Sequence, residues 1–235
     1  LYSGNTGNKV VSSSYYDNIH ASDAYGGVSI GSKQTAFDIH NVTVTDRESG
    51  ATLLDEQFTD VGKMLATWTF CNVYDSETSH FSWPNYHWLM ETGVLRVMDK
   101  TGSADGGRPL ADALDTRMIA NNATGWKNYT LNTSITRTGG LQGVMLGFGY
   151  KDNDNYYLFH YGAENNSKIR LERITNGVST VLAEVPATAP VMQNGVPYDF
   201  SIAFGEREIV CSVNGKTVID YALVSPEKDL YYDVT

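Results

Sequence analysis

Basic residues, cysteines and long apolar runs are all scarce in this chain of 235 residues, and each scarcity removes a class of function. Lys and Arg number 17 against 27 Asp and Glu, which gives a formal charge of −10 and an isoelectric point near 4.8. Nucleic acid is therefore not an expected partner, because its phosphates need Lys and Arg to neutralise them. The acidity otherwise speaks to solubility and names no ligand. No stretch of about 18 apolar residues occurs, so no membrane-spanning helix and no membrane partner are expected. Cys71 and Cys211 are too few for a disulfide framework and the wrong number for a zinc cluster. They read as two small buried hydrophobes or, alternatively, as a bridge between distant strands. No Gly-rich loop opens a helix to cradle phosphate. The sequence opens on Leu1 rather than Met and shows no signal-peptide pattern, so it is expected to be an excised piece.

What is present is a strand pattern. With 41% hydrophobic residues the chain can bury a core, and the period is two almost everywhere. In 129–136, Tyr129, Leu131 and Ile135 share one face and polar residues the other. In 142–150, Val144, Leu146, Phe148 and Tyr150 alternate with Gly143, Met145, Gly147 and Gly149. The pattern continues through 156–161, 168–174, 180–185, 198–204, 208–213 and 216–221. Turns are expected at 152–155, Asn176-Gly177 and Asn214-Gly215, the Asn-Gly pairs suiting positive φ. No window sustains a helical apolar stripe beyond a turn or two. The expectation is all-β, with two packed antiparallel sheets. Asn-x-Ser/Thr sequons start at Asn41, Asn122, Asn128, Asn132 and Asn165, and matter only in a eukaryotic secretory pathway.

Several runs resemble the concanavalin-A-like jelly rolls, with laminin-G-like modules and domains attached to bacterial glycoside hydrolases as the nearest branches. They are Gly125-Trp126-Lys127-Asn128-Tyr129-Thr130, 143–148, Asn155-Tyr156-Tyr157-Leu158-Phe159 and Val213-Asn214-Gly215-Lys216-Thr217-Val218. The order is unusual. Residues 26–31 and 36–45 resemble the closing strands of such a sandwich, yet they precede its opening signature, 53–60. The resemblance implies a jelly-roll β-sandwich over residues 20–224, with circularly permuted strand order.

The two ends carry a second resemblance. Leu1-Tyr2-Ser3-Gly4-Asn5-Thr6-Gly7-Asn8-Lys9-Val10-Val11 is similar to the entry of the C-terminal β-sandwich of family-51 α-L-arabinofuranosidases, with Asn8 in place of the usual Asp. Residues 229–235 resemble the strand that resumes that sandwich. An insertion enters and leaves through adjacent host strands, so its natural termini join internally. Asp46-Arg47-Glu48-Ser49-Gly50 would be that joint. The implied domains are a host fragment at 1–14, a lectin-like module at 15–228 and a second host fragment at 229–235.

The carboxylates do not form catalytic pairs at this level. A retaining glycosidase needs two carboxyl groups roughly 5 Å apart. In the arabinofuranosidases these lie in the barrel, and no matching stretch occurs here. The Glu-x-Asp-x-x-Glu strand of lectin-fold glycanases is also absent, and Asp55-Glu56 alternates to opposite faces of a strand. No catalytic residue is named. Sugar binding asks instead for exposed aromatics with carboxylates, amides and Arg around them. Trp83 and Tyr86 lie in the loop 75–86, where large aromatics serve either a ligand or loop packing. Trp88 opens an alternating run and reads as core. Tyr156, His160, Arg170 and Glu172 form a second candidate set, facing outward if Phe159, Ile169 and Leu171 face inward. A solvated polar face is the commoner fate of such residues; a groove floored by Gly143, Gly147 and Gly149 is the alternative.

No cofactor is expected, although structural calcium is familiar in this fold. Asp152-Asn153-Asp154-Asn155 supplies oxygens without the EF-hand pattern, and Asp38 with Glu56 sits where related modules hold an ion; no ligand is assigned. The resemblance implies a non-catalytic carbohydrate-binding accessory domain of a bacterial, extracellular or cell-surface arabinofuranosidase. Its partners would be an arabinose-containing polysaccharide or oligosaccharide and the catalytic barrel of the parent chain. A structural insert shaping the parent, and an independent lectin-fold hydrolase, remain the alternatives.

Overall fold

The structure, a computed structural model, describes residues 11–13, 24–33, 35–72, 88–97, 116–187 and 190–223. The strands run in chain order as β1 (Val11–Ser13), β2 (Gly27–Ser32), β3 (Thr35–Asp46), β4 (Thr52–Glu56), β5 (Trp68–Asn72), β6 (Trp88–Glu91), β7 (Val94–Val97) and β8 (Thr116–Ala120). They continue as β9 (Tyr129–Gly140), β10 (Val144–Asp152), β11 (Asn155–Gly162), β12 (Lys168–Thr175), β13 (Val178–Pro186), β14 (Pro197–Phe204), β15 (Glu208–Val213) and β16 (Lys216–Ala222). Two sheets result. One is ordered β1-β16-β15-β14-β9-β3-β7-β6, with β4 also paired to β3; the other is ordered β13-β12-β11-β10-β2-β8-β5. All pairs are antiparallel except β1 with β16. The molecule is an all-β, jelly-roll-like sandwich.

The sheets differ in what covers them. In β9 the buried Tyr129, Leu131, Thr133, Ile135 and Arg137 alternate with more exposed neighbours, and β14 alternates likewise through Tyr198, Phe200, Ile202 and Phe204. This sheet packs one face on the core and leaves the other half-open, as its period-two sequence dictates. The second sheet is buried on both faces at β10 and β11, while β13 at its edge is largely exposed. Residues 144–150 of β10 and 156–162 of β11 are buried without interruption. Val144, Leu146, Phe148, Phe159, Ile169 and Leu171 join the main core; Met145, Tyr150, Tyr156, Leu158 and Ile174 form a separate cluster on the outer face.

That second cluster corrects two expectations. Tyr150 does not share the face of Val144, Leu146 and Phe148. The ladders of β10 with both its neighbours shift register after Phe148, and Gly149 takes φ +54° at that bulge. One extra residue turns Tyr150 to the outer side. Gly149 accordingly faces the core, where an added Cβ would lie 2.9 Å from Phe204 Cζ and 3.1 Å from Tyr157 Cδ2. Nor is there an open glycine floor, since a Cβ on Gly147 would meet Ser29 Oγ at 2.1 Å and one on Gly143 the Tyr161 carbonyl at 1.8 Å.

The expected turns form. Asn176 and Gly177, and Asn214 and Gly215, all take positive φ, which matches the right-handed twist of the strands they join. Of the runs 36–45 and 51–58, residues 42–45 lie beside 52–56 through the pairing of β3 with β4, while 37–39 pair with β7. Asp46 Oδ1 accepts from the Glu48 and Ser49 amides and the Ser49 hydroxyl, which fixes the turn between them. A helix α1 (Val61–Thr67) was not expected from the sequence; Asp60 caps it through the Lys63 amide, and of its residues only Met64 is buried. One inward residue in seven leaves no periodic stripe to read. Trp88 is buried in the core, as expected. Cys211 is a buried free thiol, so no bridge joins it to Cys71.

Candidate functional site

The outer face of the seven-stranded sheet gathers the unusual chemistry. Register aligns Arg117 of β8, Gly31 of β2, Met145 of β10, His160 of β11, Arg170 of β12 and Glu184 of β13 in one lateral row. The neighbouring row carries Ile119, Ser29, Gly147, Leu158 and Glu172. Strands about 4.8 Å apart place Arg117 and His160 three steps, on the order of 14 Å, from each other at the backbone.

His160 is 6% exposed and its Nε2 has no hydrogen-bond partner. Burial, with Arg170 and Lys33 adding to it, pushes the imidazole down to about 4. The ring is therefore neutral near pH 7, and its 4.0 Å approach to Glu172 Oε1 is a contact rather than an ion pair. Glu172 instead accepts from the Ser179 hydroxyl at 2.6 Å.

Arg170 is the centre of a charge network at the β12–β13 side of the face. Its Nε donates to Glu184 Oε2 at 2.6 Å and its Nη2 to Glu164 Oε1. Lys168 Nζ sits 2.7 Å from Glu164 Oε2 and 3.0 Å from Glu184 Oε1. Hydrogen bonds from Lys168 and then Arg170 hold Glu164 below the ordinary carboxylate range, and the same two cations, Arg170 first, hold Glu184 down. Glu164 reaches Arg170 from a turn in which Glu164, Asn165 and Asn166 all have left-handed φ, between 47° and 60°. Asn tolerates that region better than most residues. The buried Asn166 side chain secures the turn, donating to the Met192 carbonyl at 2.7 Å and accepting its amide at 2.9 Å.

Arg117, at the other end of the row, is 3% exposed. Its Nη2 donates to Tyr156 Oη at 2.8 Å, and its guanidinium carbon stands 4.5 Å from the Tyr156 ring centroid and 6.0 Å from that of Tyr150. Nη1 has no hydrogen-bond partner, and among the described residues no carboxylate is paired with the group. The two tyrosine rings lie 5.6 Å apart, tilted by 36°. A cleft of about 640 Å³ lies away from this face, lined by charges of both signs that include Arg47, Lys127, Arg207 and Glu208; Arg47 and Glu208 pair at 2.7 Å.

Of the sequence candidates, Tyr156, His160, Arg170 and Glu172 do share this outer face, on neighbouring strands. They are not the solvated face that was the commoner expectation: Tyr156 and His160 are buried, and Arg170 and Glu172 are half-buried. Trp83 and Tyr86 lie outside the described residues, as do residues 1–10 and 224–235. Sequence reasoning missed Arg117 and Tyr150. Alternation in Arg117-Met118-Ile119-Ala120 carried the signal for Arg117, since Met118 and Ala120 join the core and an outward Arg follows. Nothing in the sequence flagged the bulge that moves Tyr150. Among the calcium candidates several oxygens are engaged by protein donors, while Oε2 of the buried Glu56 has no hydrogen-bond partner. Asp152 Oδ1 accepts from Asp154 N and Asn155 Nδ2, Arg96 engages both oxygens of Asp38, and the buried Glu56 accepts the Phe58 amide.

Comparison with known proteins places the chain in a wider context. It is 27% identical over 221 residues to an extracellular exo-α-L-arabinofuranosidase of Streptomyces chartreusis. The match covers 92% of this chain and 22% of that enzyme, so the chain spans about a fifth of its relative's length. No family model matches the chain, and no solved structure matches it.

Proposed function

We propose that this chain is a non-catalytic, carbohydrate-binding accessory domain of a glycoside hydrolase, and that the outer face of the seven-stranded sheet is where an arabinose-bearing polysaccharide is engaged. The observation that carries the reading is the extent of the likeness: nearly the whole chain is matched, within 22% of an arabinofuranosidase. A module that accompanies a catalytic domain has that proportion. The chemistry of the face supports a binding role over a catalytic one. A glycosidase acid needs a carboxyl group raised toward neutral pH. Glu164 and Glu184 are moved the other way by Lys168 and Arg170.

In this reading residues 15–228 are the module, 1–14 and 229–235 belong to a flanking host sandwich, and the Asp46–Gly50 turn joins the module's natural last and first strands. The pairing of β3 with β4 supports that permutation, though any hairpin would share it. The setting would be extracellular, and the catalytic barrel of the parent chain would be the intramolecular partner.

One observation favours a second reading, a structural insert that shapes the parent enzyme. Met145, Leu158, Ser29 and His160 are covered, so the centre of the face is not an open groove. Affinity gels cast with arabinan or arabinoxylan separate the two. Retarded migration supports binding; unchanged migration on every plant polysaccharide tested leaves the structural insert. Release of arabinose from an aryl arabinofuranoside by this chain alone, abolished by one Glu or Asp substitution, would defeat both.

A further inference from the structure

One end of the nine-stranded sheet carries an open cleft. Asp46 of β3, Tyr129 of β9 and Phe204 of β14 stand there in one row. Beyond that row the chain enters or leaves all three strands, and the cleft of about 640 Å³ lies among those segments. Its size falls within the range of small-ligand sites, about 300–1,000 Å³. Its walls are tied to each other. Arg47 donates its backbone amide to the Asn128 carbonyl at 2.8 Å and its Nη2 to Glu208 Oε1 at 2.7 Å. Asn128, at φ 45°, donates its side-chain amide to Glu48 Oε1 at 3.0 Å. Gly205 makes room for both walls, since a β-carbon there would stand 3.0 Å from Arg47 Nη1 and 3.1 Å from Asn128 Oδ1. Its amide closes the 205–208 turn on the Glu208 carbonyl at 3.1 Å.

The lining restricts what the cleft can hold. It contains four carboxylates and three cations, so it is close to neutral in a chain of charge −10. An anion meets the carboxylates and a cation meets Arg47, Lys127 and Arg207, so neither gains much net attraction. An apolar ligand would strip water from ionised groups and return no hydrogen bonds. What matches is a neutral molecule dense in hydroxyls, each of which both donates and accepts. We propose that this cleft is a second glycan subsite, taking an uncharged sugar unit whose hydroxyls bridge its two tied walls. The proposal rests on the carbohydrate-binding reading for the polymer, and on the cleft for the place and the charge. Carboxylate, amide and guanidinium each present two polar atoms side by side, which suits a pair of neighbouring hydroxyls. Arg47 with Glu208, and Asn128 with Glu48, are already held to one another, so little side-chain freedom is lost when a sugar arrives. Arg207 lines the same cleft as an exposed side chain, where it can be replaced without disturbing the core.

The test titrates the whole chain with arabinotriose and with xylotriose, followed through the backbone amide resonances. One of the two should shift the amides of 46–48, 127–128 and 206–208, with a dissociation constant that changes little with salt, because no net charge is neutralised. Arg207→Ala and Glu208→Ala each take a hydrogen-bonding group from the cleft and should weaken binding about five- to tenfold, the worth of roughly one hydrogen bond. Both should melt close to wild type, since neither side chain is part of the core. Shifts confined to other residues, with an affinity indifferent to both substitutions, overturn the subsite and leave the carbohydrate-binding reading intact. Shifts at the cleft with no polysaccharide retained in affinity gels support the subsite and remove the polymer. A trimer of galacturonic acid that binds the cleft more tightly than either neutral trimer, or an affinity that falls steeply with salt, overturns the uncharged ligand. Silence at the cleft amides with both neutral trimers overturns the proposal outright.

Discussion

The Tyr129 hydroxyl, on the nine-stranded sheet, accepts the amide of Gly149 at 2.9 Å across the interior of the sandwich. It donates in turn to the Gly27 carbonyl at 3.0 Å. One buried side chain thus fastens the bulge of β10 to the opposite sheet. That bulge is what presents Tyr150 on the outer face. The phenol is fully buried, which pushes its pKa well upward and keeps it a neutral donor and acceptor.

Tyr129→Phe tests the fastening. The substitution keeps the ring and strands the Gly149 N–H and the Gly27 carbonyl without partners. An unsatisfied buried group costs about 1–3 kcal/mol, so the urea midpoint should fall by an amount in that range at unchanged slope. A loss below about 0.5 kcal/mol would mean that the bulge is held by its own ladder.

Acidification should reveal His160. Its folded-state pKa, about 4, lies below its ordinary value of 6.5. Between those values the unfolded chain binds the proton and the folded chain does not. The contribution is therefore fully present above pH 6.5 and is lost as pH falls toward 4, by at most about 1.4 kcal/mol per pH unit. The cation-held carboxylates Glu164 and Glu184, whose own pKa values are lowered, add their loss at the acid end of that range and beyond. Melting temperatures of wild type should drop between pH 6.5 and 4, and His160→Leu should flatten the slope. A wild-type profile already flat in that window would contradict the burial of the ring.

How much of this was readable beforehand follows from what each residue depends on. Alternation revealed the inward residues of β9 and β14, because one face of that sheet meets water and the other the core. Asn176-Gly177 and Asn214-Gly215 were legible because positive φ is a local demand. Tyr156, His160, Arg170 and Glu172 were placed on one face correctly, by elimination against Phe159, Ile169 and Leu171. Their burial was not legible, since it depends on what lies over the sheet. Tyr150 was misplaced because a bulge shifts the period by one, and Gly149 reads no differently from any other strand glycine. Arg117 went unremarked because its burial and its contacts with Tyr150 and Tyr156 are tertiary, and only the folded arrangement shows them.

The left-handed turn at 164–166 should depend on one amide. Asn166→Ala removes both hydrogen bonds to Met192 and places a β-carbon without a compensating polar group at φ 60°. The two terms, about 1–3 kcal/mol for the stranded groups and about 1–2 kcal/mol for the backbone, act in the same direction. Chemical denaturation should show a loss of at least 2 kcal/mol or so, with the Glu164–Arg170 contact loosened. Asn166→Gly should recover the backbone part alone. If the two variants are equally stable, the strain argument fails.

The tryptophans divide by what they touch. Trp88 is 7% exposed, packs against Phe70 at a ring-centroid separation of 5.2 Å, and belongs to the main core. Truncating it to Ala removes roughly 3–5 kcal/mol, enough to lower the melting temperature sharply. Trp126 is only half-buried and meets Tyr129 edge-on at 6.2 Å, so Trp126→Ala should cost less. Trp83 and Tyr86 are proposed to act differently, as ring platforms for a sugar. Their Ala variants should weaken retention in a polysaccharide gel several-fold, since a stacked ring contributes on the order of 1 kcal/mol, and should leave the melting temperature nearly unchanged. A Trp83→Ala protein that melts as low as Trp88→Ala would make Trp83 a packing residue. The proposed glycan contact would then fall to Tyr156, His160, Arg170 and Glu172, whose variants in the same gels give the decisive comparison.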